Sequence, residues 1–365
     1  MKKLLKRYVL TFYLSSRLLA TTFTTVIILT AIMEVLTLLE QTSTILERQL
    51  GLKGVVHFMM LKLPLLFNSV LPLSTLIGFL IALTQLTINN EITILRSIGL
   101  STWGLIKKLI PVTLLLSFLC FIMSDQITPK TELNLATWWN KTNPHPEKEN
   151  NFYFYSNLDI INIDHIAYGG NKITGLTIIK RRDLSHIDSV LIADEVIHKN
   201  HQWIFSHAKF LQNKPDIPLK FHELTNEKER IWNINLTPHT LIRLSSKSMP
   251  QSIHNMVLEL SYQQPFKMPT NYIKTTIWGR LCLPFTFIMM LIITVLVTYI
   301  PPRAGLRSWI PIYCLGYGLL FIIFQEVLHA LGKAGTIPAP VASLSAFLVF
   351  MLATCTIILS VEEKQ

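Results

Sequence analysis

The chain has 365 residues, of which half are apolar and only 15% are charged, and its formal net charge is +11. A soluble protein of this size would carry about 25% charged residues, so the composition argues against a soluble globular chain. Because the basic residues flank long apolar runs, the positive charge indicates membrane topology rather than nucleic-acid binding.

Six apolar runs are long enough for the roughly 20 residues that a membrane-crossing helix needs. These predicted spans are 12–39, 63–88, 104–124, 278–300, 309–331 and 338–360. The first run follows "MKKLLKR" but is far longer than the apolar stretch of a signal peptide, and no small-residue cleavage site ends it. It is therefore predicted to be a retained span.

Basic residues in the short loops predict the orientation of these spans. One side would hold Lys2, Lys3, Lys6, Arg7, Arg96, Lys107, Lys108, Arg303, Arg307 and Lys364. The other side would hold Arg48, Lys53, Lys62 and Lys333. Since Lys and Arg accumulate on the cytoplasmic side, both termini are predicted to be cytoplasmic and residues 125–277 to be external.

Between spans 2 and 3, the stretch "NNEITILRSIGLSTWG" predicts a short amphipathic helix at 89–100. Its apolar residues at positions i, i+3 and i+6 are Ile92, Leu95 and Ile98, while Glu91 and Arg96 point elsewhere. Asn89 or Asn90 would cap its start, and Gly99 would end it. One interpretation is a solvated helix on the membrane surface. The other is a rigid docking element, with one acid and one base, for a cytoplasmic partner.

The external segment begins with a polar connector, "TPKTELNLATWWNKTNPHPEKENN", which Pro144 and Pro146 would close. Six runs rich in β-branched and aromatic residues follow: "FYFYS", "LDIINIDHIAY", "KITGLTIIKRR", "HIDSVLIADEVIH", "QWIFSHAKFLQ" and "ERIWNINL". Turn signals such as "GGN" divide them, which predicts an antiparallel sandwich or open roll. After "LTPHTL" the pattern becomes helical again.

No motif in the sequence predicts catalysis or nucleotide binding. "LGKAG" at 331–335 has a Gly-Lys pair but no upstream glycine at the distance that a phosphate-binding loop requires. The cysteines all fall in predicted spans, where they imply neither disulfides nor a metal site: Cys120, Cys282, Cys314 and Cys355. Three neighbouring histidines on or beside strands are predicted to face solvent rather than metal: His198, His201 and His207.

Ionisable residues within or at the ends of spans allow two interpretations. They are Glu34, Glu40, Asp125, Glu326 and His329. Either all of them lie near the interface, where hydration costs little, or they line a polar cleft that touches a substrate or a proton path.

Taken together, these features resemble the lipopolysaccharide-export permease family LptF/LptG. The matching pieces are "RYVLTFYL", "NNEITILRSIGLS", "LTPHTL" and "GKAGTIPAPVASLSA", whose order and spacing cover essentially the whole chain. Of the two branches of the family, "NINLTPHTL" and the loop between spans 5 and 6 favour LptG.

The resemblance implies an α-helical polytopic protein of the bacterial inner membrane with six transmembrane helices and an inserted periplasmic all-β domain, β-jellyroll-like. Its divisions would be 1–125 (spans 1–3), 126–270 (periplasmic domain) and 271–365 (spans 4–6). It would be the non-catalytic permease subunit of an ABC-type exporter that extracts lipopolysaccharide and passes it to a periplasmic bridge. The chain itself would hold no cofactor and no metal.

The resemblance also implies partners and site residues. The partners would be an LptF-like or LptG-like paralogue as heterodimer, an LptB-like ATPase dimer that binds ATP and Mg, and an LptC-like jellyroll protein. The coupling helix would use Asn90, Glu91, Ile92, Leu95, Arg96, Ile98 and Gly99. The lipid cavity would be lined by Glu34, Glu40, Phe67, Phe321 and Glu326.

One departure from the family concerns span 1, where members carry basic residues suited to lipid phosphates and this chain has Glu34 and Glu40. The phosphates would then be met from other positions, by the partner subunit or through divalent cations, or the head group would differ.

Two other functions stay open from the residues alone. The first is an ion-coupled secondary transporter that uses Glu34, Glu40, Asp125 and Glu326, without an ATPase. The second is a non-transporting scaffold whose β domain binds a partner.

Overall fold

Long helices and one antiparallel sheet account for most of the chain in the computed structural model. It describes residues 2–142, 151–156, 159–167, 170–183, 186–199, 202–212, 230–232, 236–245, 251–261, 268–299 and 308–362. Two compact units divide the chain: residues 1–40, 63–124 and 270–365 form one, and residues 41–62 and 125–269 form the other. We call them the helical unit and the sheet unit.

Within the described residues, five helices are long and apolar enough to cross a membrane, and a bent pair would make a sixth. The five are α1 (Lys2–Glu47), α2 (Gly51–Ile88), α4 (Thr102–Ile122), α10 (Ile310–Ala334) and α11 (Ala339–Glu362), with the short α3 (Glu91–Ser97) between α2 and α4. Each long helix coincides with one predicted apolar run. The prediction of a multi-pass membrane protein is therefore confirmed.

The fourth span is broken rather than continuous. Helix α8 (Thr270–Leu281) and helix α9 (Leu283–Val295) meet at Cys282, and the pair is bent by 51°. Pro284 lies in the first turn of α9, where its missing N–H removes no helical hydrogen bond, so a new helix can begin there. A 3-10 turn, Leu296–Tyr299, follows α9. The predicted single span at 278–300 is thus wrong in its form.

Most of the predicted polar connector after span 3 is helical. A π-helical turn, Met123–Ile127, joins α4 to helix α5 (Thr128–Lys141). Pro129 falls in the first turn of α5, where proline is tolerated, so it does not interrupt the helix. Pro144 and Pro146, which were expected to close the connector, lie outside the described residues.

The core of the helical unit surrounds α9. Most of its residues from Thr286 to Val295 are buried, which is typical of a helix enclosed by others, and α4 packs along it. Helices α1 and α2 approach closely at Gly78, where a Cβ atom would lie 2.5 Å from the Cα of Thr22. Small residues four apart, here Ser74 and Gly78, allow such backbone contact between membrane helices.

Six strands form one antiparallel sheet in the order β1-β2-β3-β4-β5-β6. They are β1 (Phe152–Ser156), β2 (Asp159–Ala167), β3 (Lys172–Asp183), β4 (His186–Lys199), β5 (Gln202–Gln212) and β6 (Arg230–Trp232). Each described strand pairs with its neighbours in sequence, so the sheet is an open meander. The six strands and the inserted antiparallel domain are confirmed.

Alternate residues of the sheet build the core of the sheet unit. Phe154, Ile163 and Leu176 are fully buried, as expected when every second side chain faces inward. Helix α6 (Pro238–Ser245) adds Leu241 to this core. The buried indole of Trp203 donates to the carbonyl of Leu236 at 2.7 Å, which joins β5 to the segment that leads into α6.

Helix α7 (Ile253–Leu260) confirms the prediction that the chain becomes helical after the sheet. Its start is capped twice. Ser252 accepts a hydrogen bond from the Asn255 amide, and the carboxylate of Asp125 accepts one from the Ile253 amide at 2.6 Å. One carboxylate oxygen of Asp125 is thus engaged at a helix start.

Candidate functional site

Helix α3 is a two-turn element that begins and ends at sharply turned residues. Asn90 occupies the N-cap position, as predicted, with φ of 59°, but its side chain makes no capping hydrogen bond. Asn90 instead turns the chain after α2, since its amide donates to the carbonyl of Thr87. Asn is one of the few residues that tolerate this left-handed conformation.

Gly99 ends α3, as predicted. Its φ is 87°, its amide donates to the carbonyl of Arg96 at 2.9 Å, and the next amide, of Leu100, donates to Leu95 at 3.1 Å. This pair of bonds is the Schellman arrangement, in which a glycine allows two terminal carbonyls to be satisfied. The helix is therefore stopped by local sequence rather than by packing.

One face of α3 is fixed to the helical core. Ile92 is 2% exposed, and Leu95 packs against the same core cluster as Leu105 and Ile106 of α4. A small cavity between α3 and the start of α4 is lined by residues from Ile92 to Leu105. Burial on this side means that α3 is held as part of the bundle, so it is more than a helix lying on the membrane surface.

The other face of α3 carries two exposed isoleucines. Ile94 is 60% exposed and Ile98 is 76% exposed, and they are four residues apart, so they lie on one side of the helix. The predicted apolar stripe is thus correct for Ile92 and Leu95 but wrong for Ile98. Ile94 was not among the predicted site residues, although the Ile94–Ile98 spacing was a signal for a second apolar face.

Glu91, in the first turn of α3, is held by the first span. Its carboxylate accepts a hydrogen bond of 2.9 Å from the hydroxyl of Tyr13 on α1. The guanidinium of Arg17, one turn along α1, lies 5.7 Å from the centre of the Tyr13 ring. An acidic side chain here also suits the positive end of the helix dipole.

Arg96 points towards the end of the fourth span. Its guanidinium donates to the hydroxyl of Thr298 at 3.0 Å and lies 4.7 Å from the centre of the Tyr299 ring. The Tyr299 hydroxyl in turn is 2.9 Å from the hydroxyl of Thr102, at the start of α4. The base that was predicted to serve a docking groove therefore has partners within the chain.

These contacts bring four parts of the helical unit to one end of the bundle: the turn of α1 that carries Tyr13, helix α3, the start of α4 and the 3-10 turn after α9. We call Glu91, Ile94, Arg96 and Ile98 with these contacts the α3 site. One face of the site is packed into the bundle and the opposite face is apolar and exposed. This arrangement suits a docking element that transmits a conformational change more than it suits a catalytic site.

The predicted cavity residues are not gathered in one cluster. Glu34 is buried in α1 with 6% exposure, whereas Glu40 and Glu326 are exposed. Phe67 packs against the core cluster around α4, while the fully buried Phe321 belongs to a second cluster with residues of α9 and α11. Their assignment to a substrate path stays a prediction.

A polar contact beside the break in the fourth span escaped the sequence analysis. Gln325 of α10 is buried and donates to the hydroxyl of Thr286, near the start of α9, at 2.9 Å. The ring of His329 lies against Gly279 of α8, where a Cβ atom would be 3.1 Å from its Cε1. Only the neighbouring helices reveal these pairings, because the residues are far apart in sequence.

Among the histidines considered for metal binding, His198 lies 4.8 Å from the ring of Trp203. His201 lies outside the described residues, and the surroundings of His207 are not described. Within the described part of the chain, no group of three His, Cys, Asp or Glu residues could hold a metal ion.

Comparison with known proteins identifies one family. The family model described as "Lipopolysaccharide export system permease LptF/LptG" matches residues 12–360, from within α1 to the last turn of α11. The match includes the whole sheet and all of the α3 site. No curated protein matches the chain.

Proposed function

Because the chain belongs to the lipopolysaccharide export permease family LptF/LptG, we propose that it is the non-catalytic permease subunit of an ABC-type exporter. It extracts lipopolysaccharide from the bacterial inner membrane and passes it to a periplasmic bridge. ATP and Mg bind to a separate LptB-like ATPase dimer. Within the family, the chain is assigned to the LptG branch.

The exposed pair on α3 is the observation that carries this proposal. Ile94 and Ile98 are 60% and 76% exposed on a short helix whose opposite face is buried in the bundle. An apolar pair of this kind suits a hydrophobic groove on a partner, in the manner of helix-in-groove recognition. Docking of the ATPase at this helix would move helices that cross the membrane.

The predicted topology places the ATPase-docking helix and both termini on the same, cytoplasmic side of the membrane. The Lys and Arg residues of the short loops favour a cytoplasmic location for α3. The contacts of α3 with Tyr13 and Tyr299 bring the turn of α1 that carries Tyr13, and the 3-10 turn after α9, to that same end. Residues 125–277, with the sheet, are then periplasmic.

Exposed apolar helix faces support further partners. In α1, Phe12 is 77% exposed and Phe23 is 61% exposed, and α10 exposes Ile323 to 63%. These faces suit lipid, the paralogous permease of a heterodimer and the helix of an LptC-like protein. Lipopolysaccharide would pass between the two permeases, with Glu34, Glu40, Phe67, Phe321 and Glu326 as the candidate contacts in this chain.

The test is co-purification of the ATPase with tagged variants of the full chain from native membranes. Ile94→Lys and Ile98→Lys are expected to lose most of the ATPase, because a charge cannot enter an apolar groove without a large desolvation cost. Ile187→Lys is the matched control, since Ile187 is also exposed, at 48%, but lies in β4 of the sheet unit. Normal ATPase recovery with both α3 variants would contradict the proposal.

A buried carboxylate favours one alternative. Glu34 is 6% exposed within span 1, and a buried acid in a membrane helix is typical of ion-coupled transport. This alternative requires a proton or cation gradient and no ATPase.

A further inference from the structure

We propose that Arg96 and Tyr299 are positioning residues that make helix α3 and the end of the fourth span move as one body. This inference rests on the proposed function, because it concerns how movement at the α3 site reaches the membrane helices. It assigns to Arg96 a role inside the permease rather than at the docking surface.

The first link joins Arg96 to the last turn of the fourth span. The hydroxyl of Thr298 accepts the hydrogen bond of Arg96 and donates its own proton to the carbonyl of Val295 at 2.8 Å. Thr298 is 2% exposed, so this hydroxyl is shielded from competing water. A displacement of Arg96 is therefore passed directly to the end of α9.

The second link runs through the Tyr299 ring. Its face lies 4.7 Å from the Arg96 guanidinium, and its hydroxyl is 2.9 Å from the hydroxyl of Thr102. Thr102 is 5% exposed at the start of α4. One aromatic side chain thus joins α3 to α4 as well as to the fourth span, and α4 packs along α9.

The break at Cys282 allows α9 to move relative to α8 when Arg96 is displaced. Helix α9 is buried almost all round, so it moves as a unit when its end is displaced. The 51° bend between α8 and α9 is the place where such a displacement is absorbed. Broken membrane helices commonly lie at the moving or binding parts of transporters. Arg96 therefore acts on the one span of the described bundle that has a built-in joint.

The experiment measures two quantities on the complete complex: recovery of the ATPase, and the number of ATP molecules hydrolysed for each lipopolysaccharide released. Arg96→Gln and Tyr299→Leu are expected to keep the ATPase bound but to raise this ratio by roughly 2- to 30-fold, the range for loss of a coupling contact. Arg96→Lys keeps the cation over the ring and is expected to restore part of the coupling.

Thr298→Val serves as a second variant because it removes the hydroxyl while keeping the side-chain volume. It is expected to raise the same ratio, by less than Arg96→Gln does. The double variant Arg96→Gln/Tyr299→Leu is expected to be no worse than the more severe single variant, since both residues act in one contact.

If Arg96→Gln and Thr298→Val hydrolyse as much ATP per lipopolysaccharide released as the wild type, the inference is overturned. Fully additive effects in Arg96→Gln/Tyr299→Leu would also overturn it. Loss of the ATPase in Arg96→Gln would also overturn it, because Arg96 would then act in docking. Failure of the proposed function has a different signature, namely normal ATPase recovery with Ile94→Lys and Ile98→Lys.

Discussion

Two side chains anchor helix α3 on opposite sides, and each uses a different kind of interaction. Tyr13 donates a hydrogen bond to Glu91, whereas Arg96 combines a hydrogen bond with a contact to the Tyr299 ring. The first contact is solvent-accessible and contributes little stability, since exposed polar pairs exchange readily with water. The second includes the buried Thr298, so it holds its geometry more firmly.

Glu91 can therefore serve export in two ways, by presenting a negative charge to the ATPase or by fixing α3 through Tyr13. Glu91→Lys is expected to abolish export and to weaken ATPase association while the protein still inserts into the membrane, because it reverses the charge at the start of α3. Tyr13→Phe is the matched control, since it removes the hydrogen bond and keeps the carboxylate.

Co-purification of the ATPase, with membrane insertion checked in parallel, measures both variants. If Glu91 acts through its negative charge, much less ATPase should co-purify with Glu91→Lys, and nearly the normal amount with Tyr13→Phe. Normal recovery of the ATPase with Glu91→Lys would show that Glu91 does not contribute to ATPase docking.

Local patterns predicted several helices and strands well, because their own residues decide them. Period-2 alternation placed the strands, as in β1, where Phe152 and Phe154 are buried and Tyr153 is exposed. Gly99 ended α3 where expected, because its positive φ is a local property. Tertiary contacts decided the rest. The outward position of Ile98, the inward position of Arg96 and the joint at Cys282 depend on neighbouring helices that the sequence order does not reveal.

The site was less predictable than the fold for the same reason. The amphipathic stretch between two spans predicted a short helix, and α3 lies there. The sequence did not identify Thr298 or Tyr299, which are about 200 residues away from α3. The five candidate cavity residues were implied by the family resemblance, and two of them, Phe67 and Phe321, belong to different hydrophobic clusters.

The crossing of α1 and α2 depends on Gly78. A Cβ atom at this position would lie 2.5 Å from the Cα and 2.8 Å from the amide nitrogen of Thr22, which are backbone atoms that cannot rotate away. Gly78→Ala is expected to force the helices apart and to lower stability by about 1–3 kcal/mol. Thermal unfolding of the purified protein in detergent measures this change.

Gly316 in α10 offers the control for that measurement, because nothing lies within 4 Å of a Cβ atom built there. Gly316→Ala is expected to be neutral or slightly stabilising, since Ala favours a helix over Gly. Equal stability of the two variants would mean that α1 and α2 are not held by backbone contact at Gly78.

In the proposed function, ATPase docking and lipopolysaccharide binding use different residues of the molecule. The α3 site lies entirely in the helical unit, where its contacts reach α1, α4 and the broken fourth span. The sheet unit contributes an open antiparallel meander, whose edge strands suit the pairing of further strands from a partner. Under the proposed function, a separate ATPase supplies the energy for transport, and α3 is the element where that ATPase would dock.

Release of lipopolysaccharide from proteoliposomes tests this account most directly. The vesicles would contain the purified permease complex, with or without its ATPase, and release to a soluble acceptor would be followed with ATP or with an imposed proton gradient. The proposed function predicts release that requires both the ATPase and ATP, is unaffected by dissipating the gradient and is lost with Ile94→Lys. Gradient-driven release from vesicles that lack the ATPase would contradict it.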